Sequence, residues 1–170
     1  TGMADSFVHL HVHTEYSMLD GAARVGELLD AAVEQQMPAI AITDHGNVFG
    51  AYDFYRQARD RGIRPIIGTE AYLTPGTDRR DRTRVRWADG GENDVSGGGA
   101  YTHMTMLAQD SGGLRNLFRL ASLSSLEGYY YKPRMDRELL QQYGAGIIAT
   151  TGCPSGEVQT WLRIGDFEKA

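Results

Sequence analysis

The apolar positions of this 170-residue chain fall into two kinds of run that alternate along it. Runs of strand length that are rich in apolar residues occupy 7–13, 38–43, 64–73, 103–108 and 146–151. Between them, apolar residues spaced three or four apart are typical of amphipathic helices. Strand runs without polar alternation favour a parallel sheet that is covered on both faces. The pattern therefore predicts an α/β fold with five βα steps, either a barrel or an open doubly wound sheet.

The predicted helices are marked by apolar spacing and by the residues at which they begin or end. They comprise a helix with Val25, Leu28, Leu29, Ala32 and Val33, a helix at 49–61 before Gly62, a helix with Leu114, Leu117, Phe118 and Ala121, a short helix with Leu139, Leu140 and Tyr143 before Gly144, and a helix that Pro154 opens. No glycine-rich nucleotide fingerprint follows the first predicted strand, which disfavours a dinucleotide-binding fold.

Residues 75–100 interrupt this alternation. They contain five arginines, many acidic residues and the glycine run 97–99. The composition predicts a long, flexible surface loop inserted between two strands. Two interpretations stay open: a solvated charged loop, or a basic flap at the rim of a site that contacts a phosphate backbone.

Composition narrows the class of protein. The apolar share of 41% and the charged share of 23% are ordinary for a soluble domain, and no apolar run could span a membrane. The absence of a leader segment and the single cysteine predict a cytoplasmic, reducing location. A net charge of −5 argues against a general nucleic-acid-binding surface, although bound divalent cations would reverse the sign locally.

The candidate chemistry lies in the histidines. All five occur in the segments 7–21, 42–47 and 101–104. His11 and His13 are two residues apart on a predicted strand, so both side chains should lie on one face and could share a metal ion. His13, His45 and Glu70 fall at predicted carboxyl ends of strands, where α/β folds collect their chemistry. His103 is the exception, because it begins its predicted strand.

Further candidate ligands are Asp20 and Cys153. Carboxylates offset cation charge, and Glu70 is the natural bridge between two ions. A set that mixes imidazole, carboxylate and thiolate suits Zn²⁺, Mn²⁺ or Fe²⁺ better than Mg²⁺ or Ca²⁺. Cys153 should precede a helix, whose N-terminus would favour its thiolate, but a lone cysteine is also commonly a small buried apolar residue.

Other residues near these segments have less specific interpretations. His9 should lie deeper in the fold than His11 and have a structural or supporting role. Asp44 should point away from His45 and act as an orienting partner or a helix cap. Aromatic residues could stack on nucleic-acid bases or be ordinary, partly buried side chains; they are Tyr16, Tyr129, Tyr130 and Tyr131.

Five segments together resemble the N-terminal PHP (polymerase and histidinol phosphatase) domain of bacterial DNA polymerase III alpha subunits, in particular the actinobacterial type. They are FVHLHVHTEYSMLDG, ITDHGN, IIGTEAYL, YTHMTMLA and TTGCPSGEV. The resemblance runs from about residue 6 to residue 170 and is broken only in the arginine-rich loop.

The resemblance implies a distorted (βα)7 PHP barrel, of which residues 1–170 would be a single domain covering about the first five βα units and truncated at its C-terminus. It also implies a centre of up to three divalent metal ions (Zn, Mn or Fe). Seven of the nine family ligand positions are matched, by His11, His13, Asp20, His45, Glu70, His103 and Cys153. The remaining Asp-x-His pair has no counterpart in this sequence.

The implied reaction is metal-dependent phosphodiester hydrolysis, a 3′→5′ proofreading exonuclease within a DNA-directed DNA polymerase, with His11, His13 and Glu70 as catalytic residues. The implied partners are the primer 3′ end of DNA, the rest of the alpha subunit, the sliding clamp and other replisome subunits. Two alternatives remain: a PHP phosphatase of small molecules, and a non-catalytic metal-stabilised scaffold for the polymerase.

Overall fold

The computed structural model describes residues 7–87 and 97–170. In chain order, its elements are α1 (Val25–Glu34), β1 (Ala39–Ile42), α2 (Ala51–Asp60), β2 (Arg64–Leu73), a 3₁₀ turn (Gly97–Gly99), β3 (Thr102–Ala108), α3 (Ser111–Glu127), β4 (Arg134–Met135), α4 (Arg137–Tyr143), β5 (Ile147–Thr150) and α5 (Glu157–Arg163). The predicted α/β class is confirmed. None of the described helices has the length and apolar character that crossing a membrane requires.

The five strands form one mixed sheet in which β2 is the central element. Strand β1 pairs in parallel with the first half of β2, and β4 pairs in parallel with its last two residues. Strand β3 runs antiparallel to β2, and β5 runs antiparallel to β3. The start of β3, the end of β2 and the end of β5 consequently lie together along one border of the sheet, where these strands begin or end. This border is called the sheet edge below.

The prediction of an all-parallel sheet is therefore wrong for β3. A parallel connection needs a crossover of a dozen or more residues, usually a helix. In the described residues between β2 and β3 there is only a 3₁₀ turn, and β3 returns beside β2 in the opposite direction. An apolar strand buried on both faces has the same sequence pattern in either direction, so the run alone could not show this.

The predicted first strand at 7–13 is also wrong. This segment lies beside β1, where Ala41 donates to the His9 carbonyl and Thr43 donates to the Val12 carbonyl at 2.9 Å each. The Val12 amide donates instead to the Thr43 hydroxyl, and the chain bends at Leu10 and His11. A side chain thus replaces one rung of the ladder, and the segment is extended without forming a regular strand.

Helices α1 and α2 pack on each other and against β1 and β2, while α3 packs against β2, β3 and β5. Their inward faces form one core with the sheet. Its fully buried large apolar side chains are Val25, Leu29, Ile40, Phe54, Met106, Leu117, Leu120, Met135 and Leu139. Each such burial stabilises the fold by about 1.5–3 kcal/mol, so this core fixes the sheet edge that carries the polar residues.

The helix boundaries mostly follow the sequence signals. Gly62, at a φ of +74°, follows α2, and Gly144 ends α4. Pro154 does not open α5, however. It lies in a turn, and the helix begins three residues later with Gly156 as its N-cap.

The described part of the arginine-rich segment is tied to the body of the protein. Arg79 is buried and pairs with Asp136, Glu127 and Glu138 at 3.0, 2.7 and 3.1 Å. The buried Arg134 donates to the carbonyls of Arg79 and Asp81, at 2.8 Å each. Residues 88–96 of the predicted loop lie outside the described residues.

Strand β5 differs from the other strands because its side chains are only partly covered. Ile148 is 49% exposed, whereas the side chains of β1 are all buried. β5 is the last strand of the sheet, and no strand in the described residues pairs with its outer edge.

Candidate metal centre

Glu70 lies at the centre of the candidate site. It is the seventh residue of β2, and its side chain is only 1% exposed. Its amide donates to the Asp44 carbonyl at 3.0 Å, and its carbonyl accepts from the Gly46 amide at 2.9 Å. These two bonds continue the parallel pairing past the end of β1 and place His45 beside Glu70.

Four other predicted ligands converge on the Glu70 carboxylate. Its Oε2 accepts from Nε2 of His11 at 2.6 Å and from Nε2 of His13. Its Oε1 contacts Nδ1 of His103 at 2.5 Å and accepts from the Cys153 thiol at 3.1 Å. The predicted shared face of His11 and His13 is confirmed, even though their segment is not a regular strand.

The position of His103 follows from the direction of β3. Because β3 is antiparallel to β2, the start of β3 lies at the same edge as the end of β2. His103 faces Tyr72 in the register of the two strands, and its amide donates to the Ser155 carbonyl at 3.0 Å. That bond brings the segment after β5, and with it Cys153, to the same edge.

Asp20 forms a second carboxylate contact on the open side of the site. Its Oδ2 lies 3.1 Å from Nδ1 of His13 and 2.8 Å from Nε2 of His45. The rings of His13 and His45 are 4.0 Å apart between centroids. His13 thus touches both carboxylates, and all seven predicted ligands lie in one continuous cluster.

A buried hydrogen-bond network positions Asp20 and His45. The Asp44 carboxylate accepts from the Thr14 amide, the Thr14 hydroxyl and the Ser17 hydroxyl at 2.6, 2.8 and 2.7 Å. The Ser17 oxygen accepts in turn from the His45 amide at 3.1 Å. Asp44 is therefore an orienting residue, as one of its two predicted roles required. Thr14 and Ser17 were not predicted from the sequence. Two polar residues three positions apart, directly after His13, were the signal for them.

Contacts with the histidines shift the charge states of both carboxyl groups. Burial raises the pKa of Glu70, but hydrogen bonds from His103, His11 and His13 outweigh it and lower the pKa far below its ordinary value. For Asp20 as well, burial acts upward and the contacts with His45 and His13 produce a net lowered pKa. The pKa of His13 is raised, chiefly by its hydrogen bond to Glu70. The two carboxylates therefore stay ionised.

Of the two interpretations of Cys153, the structure favours the buried thiol over the thiolate. Burial, followed by the adjacent Glu70 carboxylate, raises the pKa of the thiol to about 12. The expected stabilisation of a thiolate by a helix N-terminus is absent, because α5 begins four residues further on, at Glu157. In the protein alone Cys153 is a buried thiol, because hydrogen bonds from Ser155, which lower its pKa, are outweighed by burial and Glu70. A bound cation would favour its deprotonation.

The donor set suits divalent metal ions. Three groups of three residues place ligand atoms within 4.8 Å of one another: His11, His13 and Glu70; His13, Asp20 and His45; and His45, Glu70 and His103. The groups share members, as the ligands of neighbouring ions do when a carboxylate bridges them. Nδ1 of His45 is buried without a hydrogen-bond partner and lies 3.6 Å from Glu70 Oε2. An ion would give this nitrogen the partner it lacks.

A fourth group consists of three acidic residues, Asp78, Asp136 and Glu138. Its ligand atoms have a similar spacing, but it does not suit a metal ion. The guanidinium of Arg79 already bonds to Asp136 and Glu138. The positive charge of Arg79 therefore already occupies the place that a metal ion would take in this group.

An open cleft of about 750 Å³ adjoins the metal centre. Asp20, His45 and His103 form part of its wall. The remaining wall contains aromatic and polar side chains, including Tyr16, Asn47, Phe49, Tyr72, Tyr101, Tyr129, Tyr131 and Lys132. Tyr16, Tyr129 and Tyr131 are among the residues expected from the sequence near a binding site, whereas Tyr72 and Lys132 are not. The only signal for those two was their closeness along the chain to Glu70 and to the tyrosine run.

The structure shows where three other residues with predicted roles lie. His9 is exposed and packs its ring edge-on against Phe7 at 4.8 Å, so it does not lie deep in the fold. Tyr130 does not line the cleft, unlike its two neighbours. Of the five arginines in the basic segment, Arg79 is buried in ion pairs and is excluded from any contact with a phosphate backbone.

Curated relatives match nearly the whole chain. A DNA polymerase III subunit alpha from Saccharopolyspora erythraea is 60% identical and is matched over 98% of this chain and 15% of its own length. The protein of the same name from Mycobacterium leprae is 58% identical over 97% of this chain and 14% of its own. This chain therefore spans about one seventh of the length of these relatives.

Among solved structures, an amidohydrolase from Chromobacterium violaceum is similar, with a TM-score of 0.44 and 23% identity over 72% of this chain and 34% of the other. The family profile described as "PHP domain" matches residues 9–170. The mixed α/β sheet is consistent with part of a PHP barrel. The chain therefore belongs to the PHP domain family.

Proposed function

We propose that this chain is the phosphodiesterase module of a replicative DNA polymerase, a 3′→5′ exonuclease that removes misincorporated nucleotides from the primer 3′ end. The observation that carries the proposal is the buried Glu70 carboxylate, with three imidazoles and a thiol directed at its two oxygens. The relatives named as DNA polymerase III subunit alpha supply the context of DNA replication.

Seven residues would hold the metal ions, and these are His11, His13, Asp20, His45, Glu70, His103 and Cys153. Zn²⁺, Mn²⁺ and Fe²⁺ suit this mixture of imidazole, carboxylate and thiolate. When bound, such ions polarise a phosphoryl oxygen, lower the pKa of water and stabilise charge on the attacking and leaving oxygens.

The protein's own part is to hold these groups in place. Asp44 fixes Thr14 and Ser17, and Ser17 fixes the backbone of His45. The ionised Glu70 holds His11 and His13 from its buried side, leaving the side toward Asp20 open to the cleft. We assign His11, His13 and Glu70 to the catalytic centre, because both imidazoles contact the same oxygen of the buried Glu70 carboxylate and the three groups would hold one ion together.

The cleft favours a polymeric substrate over a small phosphate ester. Its volume of about 750 Å³ and its open wall extend well past the metal centre. In the cell we expect the module to work in the cytoplasm as part of the alpha subunit, alongside the sliding clamp and other replisome subunits.

The first prediction concerns Glu70 and His11. In the metal-loaded intact protein, Glu70→Gln and His11→Ala should each slow hydrolysis of a 3′-mismatched primer by at least about 100-fold, because each removes a group that holds metal charge at the phosphate. The measurement is the rate of release of 3′-terminal nucleotides. Glu27→Gln, an exposed change on α1, is the matched control and should retain the wild-type rate.

The same assay separates the rival functions. Activity on small phosphate esters without activity on DNA would favour a small-molecule phosphatase. Metal binding with no hydrolysis of either substrate would mean that the site is a structural scaffold. Full activity of both variants would contradict the catalytic assignment itself.

A further inference from the structure

A short tyrosine hairpin stands at the mouth of the cleft. It comprises residues 129–132, where Tyr130 and Lys132 form an antiparallel bridge and the Tyr130 amide donates to the Lys132 carbonyl at 3.1 Å. Tyr131 is at the tip, with a φ of +60°. A left-handed backbone is uncommon for a bulky residue and is held only where the surroundings enforce it, which is frequent at ligand sites.

The hairpin is anchored on one side through Tyr130. The guanidinium of the buried Arg134 lies 5.1 Å from the centroid of the Tyr130 ring, and that of Arg82 lies 6.0 Å away. Arg134 also donates to the Gly128 carbonyl at 3.0 Å, at the base of the hairpin. These contacts fix the hairpin and leave its other two tyrosines to the solvent.

Those two tyrosines, Tyr129 and Tyr131, line the cleft and are 60% and 66% exposed. The guanidinium of Arg84 lies 5.4 Å from the Tyr131 ring centroid. An exposed aromatic ring held in a fixed place beside a cation is the arrangement on which unpaired bases stack in single-strand binding sites.

The hairpin is connected to the metal centre through Lys132 and Tyr72. The Tyr72 ring stacks on the His45 ring, with centroids 5.8 Å apart and planes 16° apart. Nζ of Lys132 lies 5.5 Å from the Tyr72 ring centroid. The order along the wall is therefore metal ligand, aromatic ring, ammonium group and exposed tyrosines.

The chemistry of this wall specifies the ligand. Among the described residues that line the cleft, Lys132 is the sole lysine or arginine, and it lies between the metal centre and the tyrosines. A ligand that fills the wall needs an anionic group at the metal end and next to Lys132, and a flat ring at the tyrosines. An apolar protein segment would leave the ammonium group and the carboxylates of the site without partners.

We propose that the tyrosine hairpin is the base-binding platform of the exonuclease site, with Tyr129 and Tyr131 stacking on an unpaired base near the 3′ end and Lys132 pairing with a backbone phosphate. The assignment rests on the proposed function and adds to it a preference for an unpaired strand. A base inside a duplex has both faces covered by its neighbours, and a paired terminal base is held in line with the duplex and cannot turn onto a tyrosine at the side of the cleft. A base in a frayed or mismatched terminus can.

The test compares two single-stranded DNA substrates in the metal-loaded intact protein, one with an ordinary 3′-terminal segment and one whose last two nucleotides are abasic. Each stacked base contributes a factor of about 5 to 150. The kcat/KM of the wild type should therefore be at least about 5-fold higher for the base-bearing strand than for the abasic strand. Tyr129→Ala and Tyr131→Ala should each reduce the preference several-fold, because they slow cleavage of the base-bearing strand more than cleavage of the abasic strand.

Three further variants make the comparison specific. Tyr131→Phe keeps the ring and should keep the preference. Tyr52→Ala removes a tyrosine that is 77% exposed on α2 outside the cleft, and should change nothing. Lys132→Gln should slow cleavage of both strands alike, because both carry the phosphate.

The outcomes separate this inference from the function beneath it. If the wild type cleaves DNA and the two alanine variants keep the full preference, the hairpin is not a base platform. Equal slowing of both strands by those variants would give the tyrosines a structural role and overturn the inference as well. If the two alanine variants cleave both strands as the wild type does but no longer bind a protein that the wild type binds, the surface is a docking site for protein and the inference fails. If the wild type cleaves neither strand, the nuclease function fails and this assignment fails with it.

Discussion

At the scale of single residues, Gly46 shows how tightly the site is built. Its φ is +63°, and a Cβ atom there would lie 2.8 Å from both Pro133 Cγ and Tyr72 Cε2. Two separate reasons therefore require glycine next to His45: a left-handed backbone and the absence of space. A glycine after the histidine of ITDHGN is a requirement of the wall between the metal centre and the cleft.

Gly46→Ala should lower the free energy of unfolding by about 3 kcal/mol, because backbone strain of about 1 kcal/mol adds to the cost of overpacking. Gly76→Ala is the matched control: Gly76 has a φ of +78°, and among the described residues no atom beyond its chain neighbours lies within 4 Å of where a Cβ atom would be. It should cost about 1 kcal/mol, from strain alone. Urea denaturation of both variants measures the difference, and equal costs would show that the wall relaxes around the added methyl group.

At the scale of elements, the sequence predicted the strands and helices better than their directions. Strand β2 was predicted at its observed bounds, because a ten-residue apolar run between a glycine turn and a loop has one interpretation. The direction of β3 could not be predicted, since it depends on where the chain between β2 and β3 returns. His103 shows the consequence: its position at the start of a strand is incompatible with an all-parallel sheet and natural in the mixed one.

In the candidate site too, some features could be predicted from the sequence and others could not. The convergence of the candidate ligands could be predicted because imidazole, carboxylate and thiol groups have few other reasons to recur at strand ends. The cleft could not, because Tyr72, Lys132 and Asn47 come from three separate segments that only the folded chain brings together. The protonation state of Cys153 depends on burial, which residue spacing does not specify.

Helix α4 supplies a prediction at this scale. Asp136 caps α4 by accepting from the Leu139 amide at 3.0 Å and also pairs with the buried Arg79. Asp136→Ala should cost about 3 kcal/mol of unfolding free energy, because a buried ion pair and a helix cap are lost together. Asp110→Ala is the matched control: Asp110 caps α3 through Gly113 at 2.8 Å, is exposed, and should cost about 1 kcal/mol.

The pH dependence of the Asp136 effect has a definite sign. Burial raises the pKa of Asp136, but hydrogen bonds from Leu139 and Arg79 outweigh it and lower the pKa below its unfolded value. The stabilisation is therefore complete above the unfolded pKa of about 4 and is lost as the pH falls through the folded pKa. The difference between wild type and Asp136→Asn should shrink below about pH 4, and a constant difference would contradict the ionic role.

At the scale of the whole molecule, the candidate metal centre joins five separate parts of the fold. His11 and His13 precede α1, His45 follows β1, Glu70 belongs to β2, His103 to β3, and Cys153 follows β5. An ion that binds these groups only in the folded state stabilises the entire sheet edge by mass action.

Adding Zn²⁺ or Mn²⁺ to protein from which metal has been removed with a chelator should therefore raise its free energy of unfolding. The gain should be about 2.7 kcal/mol when the free metal concentration is a hundred times the dissociation constant of one site. His13→Ala should abolish most of the gain, because His13 contacts both Glu70 and Asp20. Asp78→Asn, in the acidic group that already contains Arg79, should keep the full gain. Thermal unfolding with and without metal measures this, and an equal gain in all three proteins would place the ion elsewhere.

The outer edge of β5 has a consequence for the behaviour of the protein in solution. Among the described residues no strand pairs with this edge, so its amide and carbonyl groups are open to another extended chain, and the exposed side chain of Ile148 adds apolar surface beside them. Two molecules brought together at this edge can extend one sheet into the other. Concentration of the purified protein thus favours strand-mediated aggregation, and a lysine in place of Ile148 is the substitution that would oppose it.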